Sequence, residues 1–548
     1  MTDNVKYKRK RTAPRGGFAS GVAWLTASAV AVKLIGVLYK IPMIRYLGED
    51  GMGYFNSAYE IYTFFYIIAT AGLPVAISIM IAQNAEKGNG ENVKRIYGVS
   101  LAVLSALGVL GTAVLYFGAS AFGRLVGNSG AVGSIRSIAP MAFFVCVSSA
   151  IRGYFQGRQN MIPTAVSQVI EALGKLMPGL LFAVWAINSG ADIEDAASYA
   201  TLGITIGVLI SMFYLLFAKL FSDEGEIASS SIPTVESRGS ILKRLIAIAL
   251  PITLSSAVIS MTRVVDLVMI LRRLQSIGYT EEAANSIYGS YSTLAVSMFN
   301  LPASLVTPIA LTLVPMLTSL VNGRNPEREK KTLNSSFKLC GLIIIPSALG
   351  MSALSRPILE LVFAGESRAI NIAAPLLSVL SISVFFSCLM TVSNAVLQAY
   401  GKEKKPLVSM LVGAAVKLIL SYILIGDPRF NIYGAPISTL VCDITVSGIN
   451  IHHIRKTTVL MNNSSRLFGR SLVAAALSVG SCSLGYYLMV SNSIVEKSGI
   501  FTVAVIVFTA ILYLLIALRI KAVDREDILL LPMGDKIYEF VKKIKLVK

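Results

Sequence analysis

Hydrophobic residues along this chain occur in long runs, and short polar stretches separate them. Runs of about 20 apolar residues predict transmembrane helices, whereas the strands of an outer-membrane barrel alternate over about ten residues. The pattern therefore predicts an all-α integral membrane protein with about fourteen transmembrane helices. The approximate limits of the spans are 18–43, 52–84, 93–119, 132–157, 162–187, 196–219, 244–270, 285–321, 332–358, 369–400, 406–425, 432–454, 466–491 and 499–520.

Charged residues in the polar connections alternate in sign along the chain. The N-terminal tail and the even-numbered connections, such as EKGNGENVKR and NGRNPEREKK, are rich in Lys and Arg. The odd-numbered connections, such as GEDG and IGYTEEAAN, are acidic or poor in basic residues. The positive-inside rule predicts that both termini are cytoplasmic. The same rule explains the net charge of +19, so we predict no nucleic-acid partner.

An internal repeat divides the chain into two six-helix lobes. The stretch FQGRQNMIPTAVSQVIEALGKL (155–176) is similar to LQAYGKEKKPLVSMLVGAAVKL (397–418), and Lys175 corresponds to Lys417. Because each lobe begins with an inward-starting helix and has an even number of spans, the repeat is parallel. The predicted organisation is 1–17 basic cytoplasmic tail, 18–221 N-terminal lobe, 222–240 cytoplasmic linker, 241–456 C-terminal lobe, 457–520 transmembrane helices 13 and 14, and 521–548 basic cytoplasmic tail.

Six plus six plus two spans resemble the multidrug/oligosaccharidyl-lipid/polysaccharide exporter superfamily. The opening AVKLIGVLYKIPMIRYLGEDGMGYF and the run RGYFQG are similar to its polysaccharide-transporter branch, which includes stage V sporulation protein B and MurJ-like lipid II flippases. The resemblance implies two lobes in a V around a central cavity and export of a lipid-linked oligosaccharide. Gram-negative MurJ flippases carry an Arg-Asp pair late in helix 1, where this chain has Tyr39 and Lys40. Their substrate contacts therefore cannot be transferred to this sequence.

Basic residues within the spans are the candidates for binding a pyrophosphate headgroup, because an anion in the membrane needs fixed positive charge. The predicted cavity cations are Lys33, Lys175, Arg263 and Lys417. Lys33 and Lys417 have no opposite charge three or four residues away. The residues predicted at the entrance or rim are Lys40, Arg45, Arg152 and Arg158. Alternatively, the first two of these four are snorkelling anchors at an outer helix end, and the last two belong to an ordinary basic loop.

Carboxylates within the spans are the candidates for binding a coupling cation or proton. They are Glu60, Glu171, Asp266 and Asp443. Glu171 lies four residues before Lys175 on one helix face, so the two also fit a local neutral pair. The repeat favours a functional lysine, because Gly413 corresponds to Glu171 while the lysine is kept. We predict no metal or organic cofactor and expect the membrane potential to contribute to transport.

Three functions fit these observations. The first is a flippase that exports a lipid-linked oligosaccharide, such as the peptidoglycan precursor lipid II, from the inner to the outer leaflet. The second is a cation-coupled multidrug exporter, which the excess of basic over acidic residues within the spans disfavours. The third is a non-transporting membrane scaffold for cell-wall or spore-coat synthesis, with cell-wall synthesis enzymes as partners. An enzyme is not predicted, because the polar connections are too short for a catalytic domain.

Overall fold

The computed structural model describes Ser28, residues 31–33, 35–36, 38–222, 236–323, 326–458, 468–492 and 498–520, and Ala522. The chain is helical in these residues, and they contain no β-strand. The α-helices are α1 Lys40–Thr70, α2 Leu73–Glu86, α3 Gly90–Val126, α4 Val132–Ile138, α5 Met141–Gly157, α6 Ile162–Asn188, α7 Ile193–Phe221, α8 Arg238–Ser276, α9 Glu281–Ser290, α10 Val296–Asn322, α11 Pro326–Ala353, α12 Ser355–Val362, α13 Ser367–Ala399, α14 Lys404–Ile425, α15 Gly434–Thr457, α16 Arg470–Ser491 and α17 Gly499–Arg519.

Twelve of the described helical segments are long and apolar enough to cross a membrane. The protein is thus a multi-pass membrane protein of the predicted all-α class. Two predicted spans have no counterpart among the twelve. Most of the first span, 18–43, lies outside the described residues, and the eighth, 285–321, is formed by α9, a π-helical segment Tyr291–Ala295 and α10. A total of about fourteen spans is compatible with these findings.

The predicted tails and most of the predicted linker fall outside the described residues. The linker prediction extended to residue 240, but α8 already begins at Arg238. The side chain of Ser237 accepts a hydrogen bond from the backbone N–H of Ser240, at 3.2 Å, and so caps that helix. The predicted linker therefore includes a helix N-cap at its end.

Contacts between connections show which of them share a face of the helix bundle. On one face, Asn92 donates to the carboxylate of Glu236 at 3.3 Å, and Lys402 donates to Thr457 at 2.9 Å. Asn92, Lys402 and Thr457 belong to basic connections, and Glu236 belongs to the predicted linker. On the opposite face, Asn285 donates to the carbonyl of Asp50 at 2.8 Å. The alternation of basic and acidic connections thus corresponds to two faces, and the cytoplasmic identity of the basic face stays a prediction.

Glycines set the spacing of helix pairs in both lobes. A Cβ on Gly203 would lie 2.5 Å from the Cα of Gly179, so α6 and α7 approach backbone to backbone. Gly203 and Gly207 form a GxxxG pattern, which permits close helix contact in membranes. In the second lobe, Gly413 of α14 leaves no room for a Cβ beside Val446 of α15. Packing of small residues therefore builds the corresponding helix pair in each half.

The two lobes meet along a polar contact near the acidic connections, which we call the outer seam. Its residues are Glu49, Gly53, Asn56, Ser57 and Asn128 from the first lobe, and Asn285, Gly289, Ser292, Thr293 and Arg368 from the second. Arg368 and Glu49 form an ion pair of 3.0 Å, and the backbone of Gly289 packs directly against the Glu49 carbonyl. Small and polar residues thus hold the lobes together at this end.

Candidate functional site

Two adjoining compartments lie between the helices of the lobes, and charged and aromatic side chains line both of them. The N-terminal compartment, about 490 Å³, is lined by α1, α6 and the residues Val32, Lys33, Gly36 and Tyr39 that precede α1. The C-terminal compartment, about 340 Å³, is lined by α1, α8, α9, α10, α13, α14 and α15. Both compartments include Lys40, Asn56 and Tyr59 in their walls. The arrangement is one divided cavity with residues of α1 at the division.

A buried chain of charges supports the N-terminal compartment. Arg152 of α5 lies 3.1 Å from the carboxylate of Glu171, and Lys175 lies 3.9 Å from the second oxygen of that carboxylate. Arg152 also donates to Ser167 at 3.0 Å. Its side chain and that of Glu171 are both buried. Because Arg152 is the closer partner, Glu171 is neutralised mainly from α5, and Lys175 keeps much of its charge for the compartment.

A wall of tyrosines faces these charges. Tyr59, Tyr62 and Tyr66 follow one another on α1 at helical spacing, with ring centroids 6.2 and 5.8 Å apart. The phenol of Tyr59 accepts a hydrogen bond from Lys175 at 3.1 Å, and the lysine Nζ lies 5.2 Å from the ring centroid. The hydroxyl of buried Tyr62 has no hydrogen-bond partner among the described residues. The compartment thus offers aromatic faces and an unused hydroxyl to a ligand.

An ion pair between helices dominates the C-terminal compartment. Lys417 of α14 donates to Asp266 of α8 at 2.6 Å, and its side chain is 9% exposed. Asp443 of α15 accepts a hydrogen bond from Ser383 at 2.7 Å. All of these except Ser383 line the compartment. The lysine charge is therefore already matched by a carboxylate of this chain.

Lys40 joins the compartments across the lobes. Its ammonium donates to Ser297 of α10 at 2.8 Å. Glu60 and Arg263 line the same C-terminal compartment. Arg263 is exposed, whereas the Glu60 oxygen Oε2 is buried and has no hydrogen-bond partner among the described residues. The central part of the cavity thus carries ionisable groups from both lobes.

Formal charge divides unequally between the compartments. The N-terminal compartment and its supporting Arg152 hold four cations against one carboxylate, a net charge of three positive, from Lys33, Lys40, Arg152, Lys175 and Glu171. The C-terminal compartment without Lys40 holds two cations against three carboxylates, a net charge of one negative, from Glu60, Arg263, Asp266, Lys417 and Asp443. No cluster of three or more His, Cys, Asp or Glu side chains suited to a metal ion occurs in the described part of the chain.

Two expectations from the sequence require correction, and one contact was not foreseen. Lys417 has no opposite charge three or four residues away on its own helix, but Asp266 supplies one from a distant helix. Lys40 was expected at the rim, yet it lies between the two compartments. Arg152 was expected at the entrance or in a basic loop, but the RGYFQG segment belongs to α5, and the Arg152 side chain is buried. Each error arose because local spacing and loop boundaries do not reveal contacts between helices.

The remaining predicted residues divide into two groups. Lys33, Lys175, Glu171 and Gln168 lie together in the N-terminal compartment, although only the lysines and the glutamate were predicted. Arg158 lies at the C-cap of α5 and does not line either compartment. Arg45 is likewise exposed on α1 outside both linings. The compartments therefore do not include these two candidates for the rim.

Sequence reasoning also missed a polar contact at the division of the cavity. The Asn56 amide donates to Ser292 at 2.9 Å and to Thr293 at 2.8 Å, within the π-helical segment Tyr291–Ala295. Such segments frequently occur at functional sites of helices. The i, i+3, i+7 spacing of the α1 tyrosines was visible in the sequence and could have indicated the wall. The π-helical segment left no comparable signal.

A charged cavity enclosed by two repeated helical lobes defines this protein as a membrane transporter. Residues 18–321 match the family described as polysaccharide biosynthesis protein, and the chain belongs to that family. Residues 285–423 additionally match the MatE family. Both matches agree with the multidrug/oligosaccharidyl-lipid/polysaccharide exporter superfamily, of which this transporter is a member.

Relatives in Bacillus subtilis (strain 168) extend over most of the chain. The lipid II flippase MurJ is 28% identical over 422 residues, which cover 74% of this chain and 77% of the relative. Stage V sporulation protein B is 24% identical over 442 residues, covering 80% and 84%. The uncharacterized membrane protein YabM is 25% identical over 552 residues, covering 99% of both. The similarity therefore includes both lobes.

Two solved structures share the fold. The lipid II flippase MurJ in an inward closed conformation superimposes with a TM-score of 0.67 and 14% identity, covering 90% of this chain and 98% of the other. An inward-facing multidrug resistance transporter of the MATE family gives 0.66 and 15%, covering 80% and 99%. The predicted fold of two helical lobes is confirmed by these likenesses.

Proposed function

We propose that this protein is a flippase that exports a lipid-linked oligosaccharide from the inner to the outer leaflet of a bacterial cytoplasmic membrane. The substrate we propose is an undecaprenyl-pyrophosphate-linked peptidoglycan precursor, lipid II. Transport proceeds by alternating access, as one lobe moves against the other. The relatives named lipid II flippase MurJ and stage V sporulation protein B support this choice of substrate class.

The observation that carries the proposal is the net positive, tyrosine-walled N-terminal compartment. A pyrophosphate loses hydration when it enters a membrane protein, so fixed cations must replace that hydration. Lys33, Lys40 and Lys175 converge on this compartment. The tyrosines add aromatic faces and hydroxyls that suit the adjoining sugar. We propose that the pyrophosphate binds in the N-terminal compartment and that the neutral polar part of the headgroup extends toward the C-terminal compartment.

The membrane potential is the proposed source of energy. Moving negative charge outward across an inside-negative membrane gains about 2.3 kcal/mol per charge per 100 mV when the charge crosses the full field. The buried carboxylates Glu60, Asp266 and Asp443 are the proposed site of a coupling cation or proton. With both termini cytoplasmic, the basic face of the bundle receives the substrate.

One observation favours a second function, a cation-coupled multidrug exporter. The C-terminal compartment carries three carboxylates and has a net negative formal charge, which suits an organic cation. The MatE match over residues 285–423 includes part of this compartment. Lys417 already pairs with Asp266, so less negative charge is available to such a ligand. The substrate class is therefore best tested by separate variants of the two compartments.

The test is a precursor-accessibility assay in cells depleted of their own lipid II flippase and expressing this protein. Full-length chain and the double variant Lys33→Gln/Lys175→Gln are compared for exposure of the lipid-linked precursor on the outer surface. We expect the double variant to reduce exposure by about tenfold or more, because two charge-assisted contacts are lost. The matched control is Lys87→Gln/Lys94→Gln, two lysines that lie outside both compartments.

Normal outward exposure in the Lys33→Gln/Lys175→Gln variant would overturn the proposed headgroup site. A drug-resistance assay separates the second function. The multidrug exporter is favoured by three results together. The chain confers resistance to organic cations, Asp443→Asn abolishes that resistance, and neither Asp443→Asn nor Lys33→Gln/Lys175→Gln changes exposure of the precursor. Immunoblots of membrane fractions establish that each variant is present at the level of the unmodified chain.

A further inference from the structure

The polar contact between the lobes continues inward from the outer seam in three layers, each with residues of α1 on one side and residues 285–297 on the other. From the outside inward, the layers are Glu49 and Gly53 against Asn285 and Gly289, Asn56 against Ser292 and Thr293, and Lys40 against Ser297. Ser297 follows Asn285 by 12 residues. At a rise of about 1.5 Å per residue, the innermost layer therefore lies about 18 Å inward from Asn285.

Only the two inner layers border the cavity. Lys40 and Asn56 line both compartments, whereas no residue of the outermost layer lines either of them. Lys40 reaches the same depth as Asn56 because α1 breaks at Gly48, where the backbone is not helical, and the chain turns back toward the cavity. A ligand in the cavity can thus compete for the inner contacts and not for the outer seam itself.

The two inner contacts differ in what an anion could offer them. The Asn56 amide is neutral and already donates to two hydroxyls. Lys40 donates to a single neutral hydroxyl of buried Ser297, at 2.8 Å. A phosphate adds Coulomb attraction that this hydroxyl cannot supply. Since the lysine stem is flexible and Lys40 already lines the N-terminal compartment, rotation of its side chain is enough to change partner.

The other paired lysines of the cavity bind within their own lobes. Lys175 donates to Tyr59, and its nearest carboxylate is Glu171, both in the first lobe. Lys417 donates to Asp266 in the second lobe. An anion that binds these two lysines alters no contact between the lobes. Lys40 therefore combines a charge that a headgroup can attract with a hydrogen bond that crosses from one lobe to the other.

We propose that Ser297 is a positioning residue that holds Lys40 against the second lobe until the anionic headgroup of a substrate replaces it. This inference rests on the proposed function. Headgroup binding removes the innermost layer, and the lobes are then held only by the two layers outside it. A ligand shifts a conformational equilibrium only through a difference in its affinity for the two states. Lys40 supplies that difference, because it contacts the headgroup only after it has left Ser297.

The test measures outward opening in intact cells that express the full chain with a cysteine introduced at Ser387, in the wall of the C-terminal compartment. An impermeant thiol reagent outside the cells labels this cysteine when the outer seam opens, and labelling of the chain without it is subtracted. Cells are compared with and without a block in synthesis of the lipid-linked precursor. Immunoblots establish equal amounts of each chain.

We expect Ser297→Ala to raise the labelling rate about tenfold in blocked cells, because a hydrogen bond to a charged group shifts an equilibrium by about that factor. The precursor should raise the rate of the unmodified chain and leave that of Ser297→Ala unchanged. Ser297→Thr keeps the hydroxyl and should behave as the unmodified chain does. The matched control is Ser304→Ala on the same helix, since the Ser304 hydroxyl bonds only to the backbone carbonyl of Leu301, at 2.6 Å.

An unchanged labelling rate of Ser297→Ala in blocked cells would overturn the proposal. A precursor response that persists in Ser297→Ala, or a Ser297→Thr chain that behaves like Ser297→Ala, would do so as well. If Ser297→Ala raises the rate while the precursor affects none of the chains, the positioning role of Ser297 stands and the proposed substrate is wrong. The two proposals therefore fail in different ways.

Discussion

Lys417→Gln tests whether the ion pair with Asp266 supports the fold, the transport reaction or both. The pair is 2.6 Å long, and the lysine side chain is 9% exposed. At an effective dielectric constant of about 20, unit charges at this distance attract by about 6 kcal/mol, and desolvation cancels much of that gain. Removing one partner leaves a carboxylate uncompensated, so we expect a loss of about 3 kcal/mol in stability. The double variant Lys417→Gln/Asp266→Asn removes both charges and should recover most of it.

The assay combines thermal unfolding in detergent with outward exposure of the lipid-linked precursor. The control is Lys402→Gln, an exposed lysine whose hydrogen bond to Thr457 is worth less than about 1 kcal/mol. If the pair is structural, the double variant is stable and transports normally. If Lys417 also contacts the headgroup, the double variant is stable and transports poorly. A single variant as stable as the unmodified chain, or a double variant as unstable as the single one, would refute the reasoning.

Three further predictions concern the seam and the buried charges. Gly289→Ala should separate the outer seam, because its Cβ has no room against the facing backbone. An impermeant thiol reagent should then reach a cysteine introduced at Ser387 in the cavity wall. Gly350→Ala, which places its Cβ in open space, should not have this effect. Arg152→Gln should lower the unfolding midpoint by leaving buried Glu171 poorly paired, at a cost of about 3–5 kcal/mol, and an added Glu171→Gln should restore it. Burial, together with the neighbouring carboxylate of Glu49 in the outer seam, raises the pKa of Glu366. The outer seam should therefore weaken as the pH rises through that pKa, and Glu366→Gln should remove this dependence in the same thiol assay.

The fold followed from the sequence because the membrane allows few alternatives. Helix-length apolar runs and the alternation of basic connections predicted the spans and the two faces of the bundle. The π-helical segment Tyr291–Ala295 was not predictable, because it depends on contacts such as Asn56 with Ser292 from another lobe. Local sequence patterns contain no information about those contacts.

The candidate site was predicted in part, for a related physical reason. Charges within spans are few, so the sequence directly indicated Lys33, Lys175, Arg263 and Lys417 as polar groups at membrane depth. Their partners could not be read from spacing, because Asp266 reaches Lys417 across 151 residues of chain. The sequence thus predicted which residues carry charge, and the packing of helices determines which charges neutralise one another.

Glycine packing explains why the two repeat-related lysines have different surroundings. Glu171 can accompany Lys175 because its side chain lies beside Arg152 of α5. At the corresponding position of the second lobe, Gly413 packs so closely against Val446 that a longer side chain cannot fit. Lys417 must therefore take its counter-ion from another helix, and α8 supplies it. A cavity built from a repeat can thus hold one net positive compartment and one in which the lysine is neutralised, because close packing at a single residue excludes the same pairing in both halves.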